Sequence, residues 1–547
     1  MESQASFHCR IYDQQKSARA ALEQYWQDKQ HYCLPRNAYI NRIYNLGDRI
    51  PTDIYDETAI LANAYFAAGM QAYMSSPQTK WFGLACRNRA LMKNRTVLDY
   101  FRDCEEVIYS IINGSNFYQE DVEGYLSLGS IGTDVLYAEE DIKEDVRFDC
   151  LNIENVVICN DHSGRVNIAY IEYEYDAFQA VGKFGEDKVG EKVLKCYKEG
   201  DYNTKFKYLF CVFPREVYDQ SKRDAKNMPF AALWIDRERK VEVREGGYKQ
   251  FPFMVSRFAK TKGSPYGGAV ADNIFPAINM SNEMEHTVIL SAQNQVAPPL
   301  EIPDEAFLRP FNFNPRGKNI KNVGFPNEHI TPINMGGNTP LGIEYMERKQ
   351  RKIEQAFYND LFLAIEQVGK MTATEVSIRN NQRMQLLGSA IGNIMREKLS
   401  PVIERVYAIA AKANKLPPLP PELAKEEYTI EYVSPLARAQ KSLETNDLNQ
   451  AMAIIAQLVQ IQIAGGQQPT VLDKLNFDEL VDYTGEITNI TPRLILDDSE
   501  VEDIRSTRAE QQQQQQQLAL IQQGAEATKV GAEADKNIAE SQMAGVK

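Results

Sequence analysis

Two long helical stripes separated by one short break constrain this chain more than any other feature. From Met346 the apolar positions fall at Met346, Ile353, Phe357, Leu361, Ile365 and Val368. Spacings of three, four and seven mark one face of a helix. Gly369 interrupts the pattern inside Glu366-Gln367-Val368-Gly369-Lys370-Met371-Thr372. Thr372 and Thr374 offer N-caps, and Glu375, three residues after Thr372, completes a capping box. The second stripe runs through Met384, Leu387, Ile391, Met395, Leu399, Val402, Val406 and Ile409. Helical from Ala373 to Asn414, this segment is roughly 60 Å long at about 1.5 Å per residue. Pro401 removes one backbone donor within it and is expected to bend the helix without ending it, because the stripe continues beyond. A helix of that length cannot bury its apolar face inside one compact domain. It requires neighbours.

At 547 residues the chain has room for about three or four domains of roughly 150 residues. No apolar run reaches the roughly 18 residues needed to cross a bilayer. The nearest, Ala451 to Ala464, is broken by Gln457, Gln460 and Gln462, and Met1-Glu2-Ser3-Gln4 opens without a signal-peptide pattern. The eight cysteines stand at 9, 33, 86, 104, 150, 159, 196 and 211 with no Cys-x-x-Cys pair, the pattern of reduced cytosolic thiols and not of zinc ligands. A net charge of −14 argues against a tight grip on nucleic acid phosphates but is compatible with DNA sliding past a weakly adhesive surface.

Taken in order, residues 1 to about 140 read as mostly helical. Gln14 to Gln30 reads as an exposed polar helix ending near Leu34-Pro35, and Ile60 to Met74 as an Ala- and aromatic-rich helix stopped by Ser75-Ser76-Pro77. Trp81-Phe82 reads as a short extended piece, Val97 to Asn113 as an amphipathic helix, and Asn116 as the start of another that Gly129 and Gly132 close. From about Thr133 the signal turns to strands: 135–137, 156–159, 168–175, 208–213, 232–235 and 251–258. Ile171, Tyr173 and Tyr175 alternate with Glu172 and Glu174, as in a sheet with one wet face. The first 260 residues are therefore α+β.

A tight turn at Gly263-Ser264-Pro265-Tyr266-Gly267-Gly268 precedes a helix to roughly Asn294. The next forty residues hold six prolines and four glycines, a density that suits a small irregular or β module. Its Arg309, Arg316, Lys318 and Lys321 read as the clearest local positive cluster, either a solvated loop or a partner or DNA contact. After the long helix, Leu416-Pro417-Pro418-Leu419-Pro420-Pro421 is a stiff connector, 428–433 a strand, and 436–463 a helix. From Ser499 the chain is rich in Glu, Ala and Gln, with seven glutamines at 511–517, and reads either as partly disordered or as a helix that forms only beside copies of itself.

Catalytic signatures do not emerge. There is no Gly-x-x-x-x-Gly-Lys-Ser/Thr phosphate loop, no Gly-x-Ser-x-Gly, no His-Glu-x-x-His and no EF-hand loop. The five histidines never stand at ligand spacing, and acidic pairs such as Asp497-Asp498 lie in polar loops. No cofactor or metal is expected.

Several short stretches, weak singly, form an ordered series. They are Tyr25-Trp26, Leu34-Pro35-Arg36, Ile54-Tyr55-Asp56, Ala67-Ala68-Gly69-Met70, Ser75-Ser76-Pro77, Trp81-Phe82 and Ser115-Asn116-Phe117-Tyr118. Gly263-Ser264-Pro265-Tyr266-Gly267, Asn282-Glu283-Met284, Pro298-Pro299-Leu300, Met371-Thr372-Ala373-Thr374-Glu375-Val376 and Tyr432 to Gln440 continue it. The series resembles the head-to-tail connector (portal) proteins of short-tailed bacteriophages. The resemblance implies a closed ring of about twelve copies with an axial tunnel for double-stranded DNA. It implies a predominantly helical α+β subunit: a wing at 1–260, a first stem helix at 261–299, a clip at 300–341 and a second stem helix at 342–366. A tunnel loop would follow at 367–372, made of Gln367, Val368, Gly369, Lys370 and Met371. A long bent wing helix would occupy 373–415, wing and crown 416–498, and a Gln-rich tail or barrel 499–547. The implied partners are a tail adaptor protein, the terminase packaging motor, and the major capsid and scaffolding proteins, at the portal vertex of a virion assembled in the host cytoplasm. No membrane and no catalytic activity belong to this picture. A coiled-coil scaffold or adaptor without a tunnel also fits the long helices, and a metal-dependent nuclease fits only the carboxylate count.

Overall fold

The computed structural model describes residues 3–37, 40, 53–88, 91–219, 222, 224–296, 300–301, 331–332, 339–363, 387–423, 428–432, 435–464, 474–488 and 501–515. These form two units. The larger comprises Met1–Ala85, Tyr100–Leu419 and Glu427–Ala437; the smaller comprises Cys86–Asp99, Pro420–Glu426 and Arg438–Lys547.

The larger unit opens with α1 (Gln4–Ala18), capped by the Ser3 hydroxyl, and α2 (Ala20–Cys33). Then come α3 (Thr58–Met74), β1 (Phe82–Cys86), α4 (Arg95–Gly114) and α5 (Phe117–Ser130). Strands β2 (Thr133–Asp141), β3 (Asp145–Cys150), β4 (Val156–Asn160) and β5 (Val166–Tyr175) lead to helices α6 (Ala177–Phe184) and α7 (Glu191–Glu199). Strands β6 (Phe206–Pro214), β7 (Phe230–Asp236), β8 (Val241–Tyr248) and β9 (Phe253–Arg257) complete two antiparallel sheets, ordered β4-β5-β6-β7-β8 and β3-β2-β9.

The strands expected from β-rich runs are all present. Not foreseen were β3 and β8, whose acidic and basic alternation hides the apolar period, and the two helices α6 and α7. One face of the five-stranded sheet packs Ile171, Phe210 and Trp234 against Val135, Tyr137 and Val255 of the smaller sheet and Phe184 of α6. On its other face Val157, Tyr170, Leu209, Leu233 and Ile235 lie under Ala5, Cys9 and Tyr12 of α1. The expected wet face is therefore covered. Glu172 is buried there against Lys207 (3.1 Å) and Arg237 (3.2 Å), while Glu174 stays in water. The exposed helix expected over Gln14–Gln30 is likewise two helices joined at Arg19, and α2 buries Glu23, Trp26, Gln27, Lys29 and Gln30. Their polarity misleads because burial of Glu23 and Lys29 is met by internal partners, Arg19 at 2.7 Å and Asp272 at 2.6 Å.

The short strands β10 (Ala259–Lys260) and β11 (Gly267–Gly268) form a hairpin. Helix α8 (Phe275–Val296) follows, then the paired β12 (Leu300–Glu301) and β13 (Thr331–Pro332), then α9 (Thr339–Ala356) and α10 (Asn359–Leu363). Contacts of Gly342 with Val288, and of Tyr345 with Met280, make α8 and α9 an antiparallel hairpin. The continuous second helix expected over 342–366 breaks at Tyr358, whose φ of 60° lies in the left-handed region. The expected stripe still points inward, with Ile353, Phe357 and Leu361 buried.

Residues 387–394 form α11, a π turn occupies Met395–Leu399, and α12 spans Ser400–Lys412 until Asn414, at φ 54°, ends it. Pro401 thus does not stop the helix; the wider turn just before it takes up the distortion. Strand β14 (Tyr428–Tyr432) pairs with β1.

The smaller unit contains most of α13 (Pro435–Ala464), α14 (Phe477–Thr488) and a helix α15 at 501–515, which takes in the first five residues of the glutamine run. Arg505 grips Asp478 through two bonds of 2.8 and 2.7 Å. No helix among the described residues is long and apolar enough to cross a membrane.

Candidate functional site

The expected tunnel-loop residues Gln367, Val368, Gly369, Lys370 and Met371 lie outside the described residues. So do Arg309, Arg316, Lys318 and Lys321 of the proline- and glycine-rich insertion. What the structure does place is the anchorage of the chain on either side of them.

Before residues 367–371 in the chain, α10 leans on α3. Gly69 permits this approach, since a Cβ there would overlap the ring of Phe362. Phe66 meets Phe357 and Phe362 edge-on at 6.5 and 6.4 Å. All of these contacts are apolar.

After residues 367–371 in the chain, the π turn carries two adjacent charges into the fold. Lys398 has zero exposure; its Nζ lies 2.7 Å from Asp121 Oδ1 of α5 and 2.7 Å from Asp134 Oδ2 of β2, both carboxylates equally buried. The ammonium also stands 4.6 Å from the centre of the Tyr125 ring. Ser75 donates to Asp121, and Ser256 Oγ donates to Asp134 at 3.4 Å. Burial alone would lower the Lys398 pKa, but Asp121 and Asp134 outweigh it and hold the ammonium above the ordinary lysine range. Gly124 leaves the room, because a Cβ there would overlap both Lys398 and Asp134. Glu397, one residue earlier, accepts from Arg257 N at 3.1 Å and Arg257 Nε at 3.2 Å, and pairs with Lys260 at 2.9 Å. Tyr432 of β14 donates to the Met395 carbonyl at 3.1 Å and accepts from Ser400 Oγ at 2.5 Å, closing the widened turn.

The short stretches that carry the family resemblance are joints of the same kind. Asn282 Oδ1 accepts from the backbone N–H groups of Tyr55 and Asp56 at 2.7 and 3.1 Å, tying α8 to the segment before α3. Tyr109 Oη accepts from the N–H groups of Trp81 and Phe82 at 2.7 and 2.8 Å. Asn116 mimics a strand edge, donating to Phe148 O at 2.7 Å and accepting from Phe148 N at 2.9 Å. Tyr266 accepts from Arg19 at 3.0 Å and packs edge-on against Trp26 at 5.0 Å. Gly132, at φ 90°, lets the chain turn against Gly268. Each of these residues satisfies another segment's backbone, packs against a distant helix or lets two backbones touch.

One charged feature escapes the reading by local composition. Arg348, Lys349, Arg351 and Lys352 put four cations into five residues of α9, a denser cluster than the one in the insertion. A five-residue charge count finds it; the helical stripe through Ile353 had drawn attention to the opposite face. No group of three or more His, Cys, Asp or Glu among the described residues could hold a metal ion.

Comparison with known proteins bears on the whole chain and not on a single site. The family profile for the bacteriophage head to tail connecting protein matches residues 9–496. The "Probable portal protein" of Bordetella phage BPP-1 is 29% identical over 528 residues, covering 95% of this chain and 94% of its own. The "Portal protein" of Salmonella phage epsilon15 is 27% identical over 530 residues, with 95% and 94% covered. A match of that extent, across both units, establishes that this chain belongs to the bacteriophage head to tail connecting protein family.

Proposed function

We propose that this connector works as a closed ring at the portal vertex of a virion, with DNA entering during packaging and leaving on ejection through its axis. The family match over residues 9–496 carries the reading. In this picture the hairpin of α8 and α9 is the stem, the insertion at 300–341 is the clip for the tail adaptor and the terminase motor, and 367–372 is the tunnel loop. The two sheets and α11–α12 belong to the wing, and α13–α15 to the crown. The motor is a separate protein, since this chain has no phosphate loop, and the connector itself has a structural and not a catalytic role. Capsid and scaffolding proteins would surround the ring during assembly in the host cytoplasm.

Surface chemistry supports assembly from several copies. Helix α3 contains no charged residue over Thr58–Met74, yet Leu61 and Tyr65, one turn apart, are 49% and 50% exposed. Ile454, Leu458 and Ile461 form a second exposed apolar stripe on α13. Apolar stripes of this kind are covered in an oligomer. The net charge of −14 suits a conduit from which DNA must be released.

Native mass combined with particle images tests the reading: a closed ring of about twelve copies with a hole wide enough for duplex DNA is expected. A compact dimer without a hole would favour a tunnel-free adaptor. Within the ring, Lys370→Ala is expected to leave assembly intact while changing the length or retention of packaged DNA. Unchanged packaging would remove Lys370 from the DNA path.

A further inference from the structure

Helix α9 turns Ile353 and Phe357 inward, where both are fully buried. Helical geometry sends Arg348, Arg351 and Lys352 to the opposite side, and all three are exposed. Arg351 donates to the Glu347 carbonyl of its own helix at 3.3 Å and makes a loose pair with the Glu347 carboxylate at 3.8 Å, and Lys349 is diverted over the Tyr345 ring at 5.2 Å.

The neighbouring helix has the opposite character. Over Phe275–Val296, α8 carries no Lys or Arg, and its Glu283 is exposed. Burial opposes ionisation of the Tyr32 hydroxyl, and the negative charges of Asp53, Glu283 and Asp28 of α2 add to that opposition. Asp53 is met by His31 at 3.2 Å. The patch is therefore acidic and accessible.

Stripe and patch share one level along the hairpin. Gln350, in the middle of the basic run, donates to Asp56 at 3.3 Å. Asn282, beside Glu283, holds the Tyr55 and Asp56 N–H groups and donates to Asp53 O at 3.1 Å. Among the described residues no ion pair joins stripe to patch within the chain. Rotation about an axis parallel to the hairpin preserves height, so it brings the stripe of one copy level with the patch of the next.

We propose that Arg348, Arg351 and Lys352 of one copy dock on Asp28, Asp53 and Glu283 of a second copy. The contact rests on the ring reading above and names the surfaces that would close it. It is heterologous, three cations against three carboxylates, and fixes neighbours at a common height. A stripe kept for DNA phosphates would leave the acidic patch without a counterpart.

Charge reversal tests this in the full-length chain. One variant carries Arg348→Glu, Arg351→Glu and Lys352→Glu; a second carries Asp28→Lys and Glu283→Lys; a third carries all five changes. Each of the first two is expected to lower the closed-ring fraction at least about tenfold, because like charges then face each other. The third is expected to recover the wild-type fraction. Rings unaffected by either reversal, or no recovery in the combined chain, would overturn the docking. Intact rings with reduced DNA packaging in the first variant would also overturn it, assigning the stripe to DNA. A wild-type chain that forms no ring fails the ring reading itself, which is a separate outcome. Should the reversed chain not fold, Arg348→Gln, Arg351→Gln and Lys352→Gln together must weaken ring closure and flatten its salt dependence; an unchanged salt dependence would sink the proposal.

Discussion

The two arms that flank residues 364–386 in the chain are very different. The arm before it, α9 and α10, buries apolar side chains on one side and leaves Arg348, Arg351 and Lys352 in water. The arm after it, α11 to α12, buries apolar residues too but adds Glu397 and Lys398, each fixed to carboxylates or cations on other elements. Apolar contact is non-directional and tolerates small sliding; buried ion pairs tolerate almost none, because a displaced charge is left unpaired in a medium that cannot solvate it. The first arm is therefore free to adjust against a neighbour, while the second sets the position of the chain within its own subunit.

The largest expected effect comes from the rigid arm. Lys398→Met leaves Asp121 and Asp134 facing each other without a cation, and should cost about 3–5 kcal/mol of stability by denaturant unfolding. Adding Asp121→Asn and Asp134→Asn should recover most of the loss. A cost below about 1 kcal/mol would erase the distinction between the arms. An intermediate effect is expected at the α3–α10 contact, where Gly69→Ala must displace Phe362 at a cost of about 1–3 kcal/mol. Phe362→Leu in the same chain should relieve part of it, as measured by thermal unfolding. The smallest effect belongs to the exposed arm: Arg348→Ala with Lys352→Ala should shift the unfolding free energy of the dissociated chain by no more than about 0.5 kcal/mol. A larger loss there would mean that the stripe has a partner inside its own subunit.

Legibility followed the range of the interactions. Helical stripes and β-rich runs are local, and the sequence places α3, α5, α9, α12 and most strands correctly. The family series was legible as well, since the order of its short stretches can be read along the chain even though their partners are remote. What could not be read was the pairing itself: Lys398 and Asp121 stand 277 residues apart, and nothing near either predicts the other. For the same reason the polar face of α2 and Glu172 looked like surface. The break at Tyr358 was hidden because its neighbours Phe357 and Leu361 keep the inward spacing across it. The basic run at 348–352 is legible in the sequence as four cations in five residues, whereas the four cations of the insertion lie outside the described residues.

The π turn has a rotational consequence. Leu387, Ile391, Met395 and Leu399 follow one another at steps of four, which a period of 3.6 cannot sustain without drifting round the helix. The wide turn at Met395–Leu399 absorbs the drift. Leu387, Ile391 and Ile394 before it, and Val402, Val406 and Ile409 after it, are thereby all buried. The turn behaves as a phase shifter in a shaft. Deleting one residue inside it would rotate everything before Met395 by about 100° against α12. Insertion or loss of a single residue at this point is thus a means of re-aiming α11 against α12 while its own sequence stays the same.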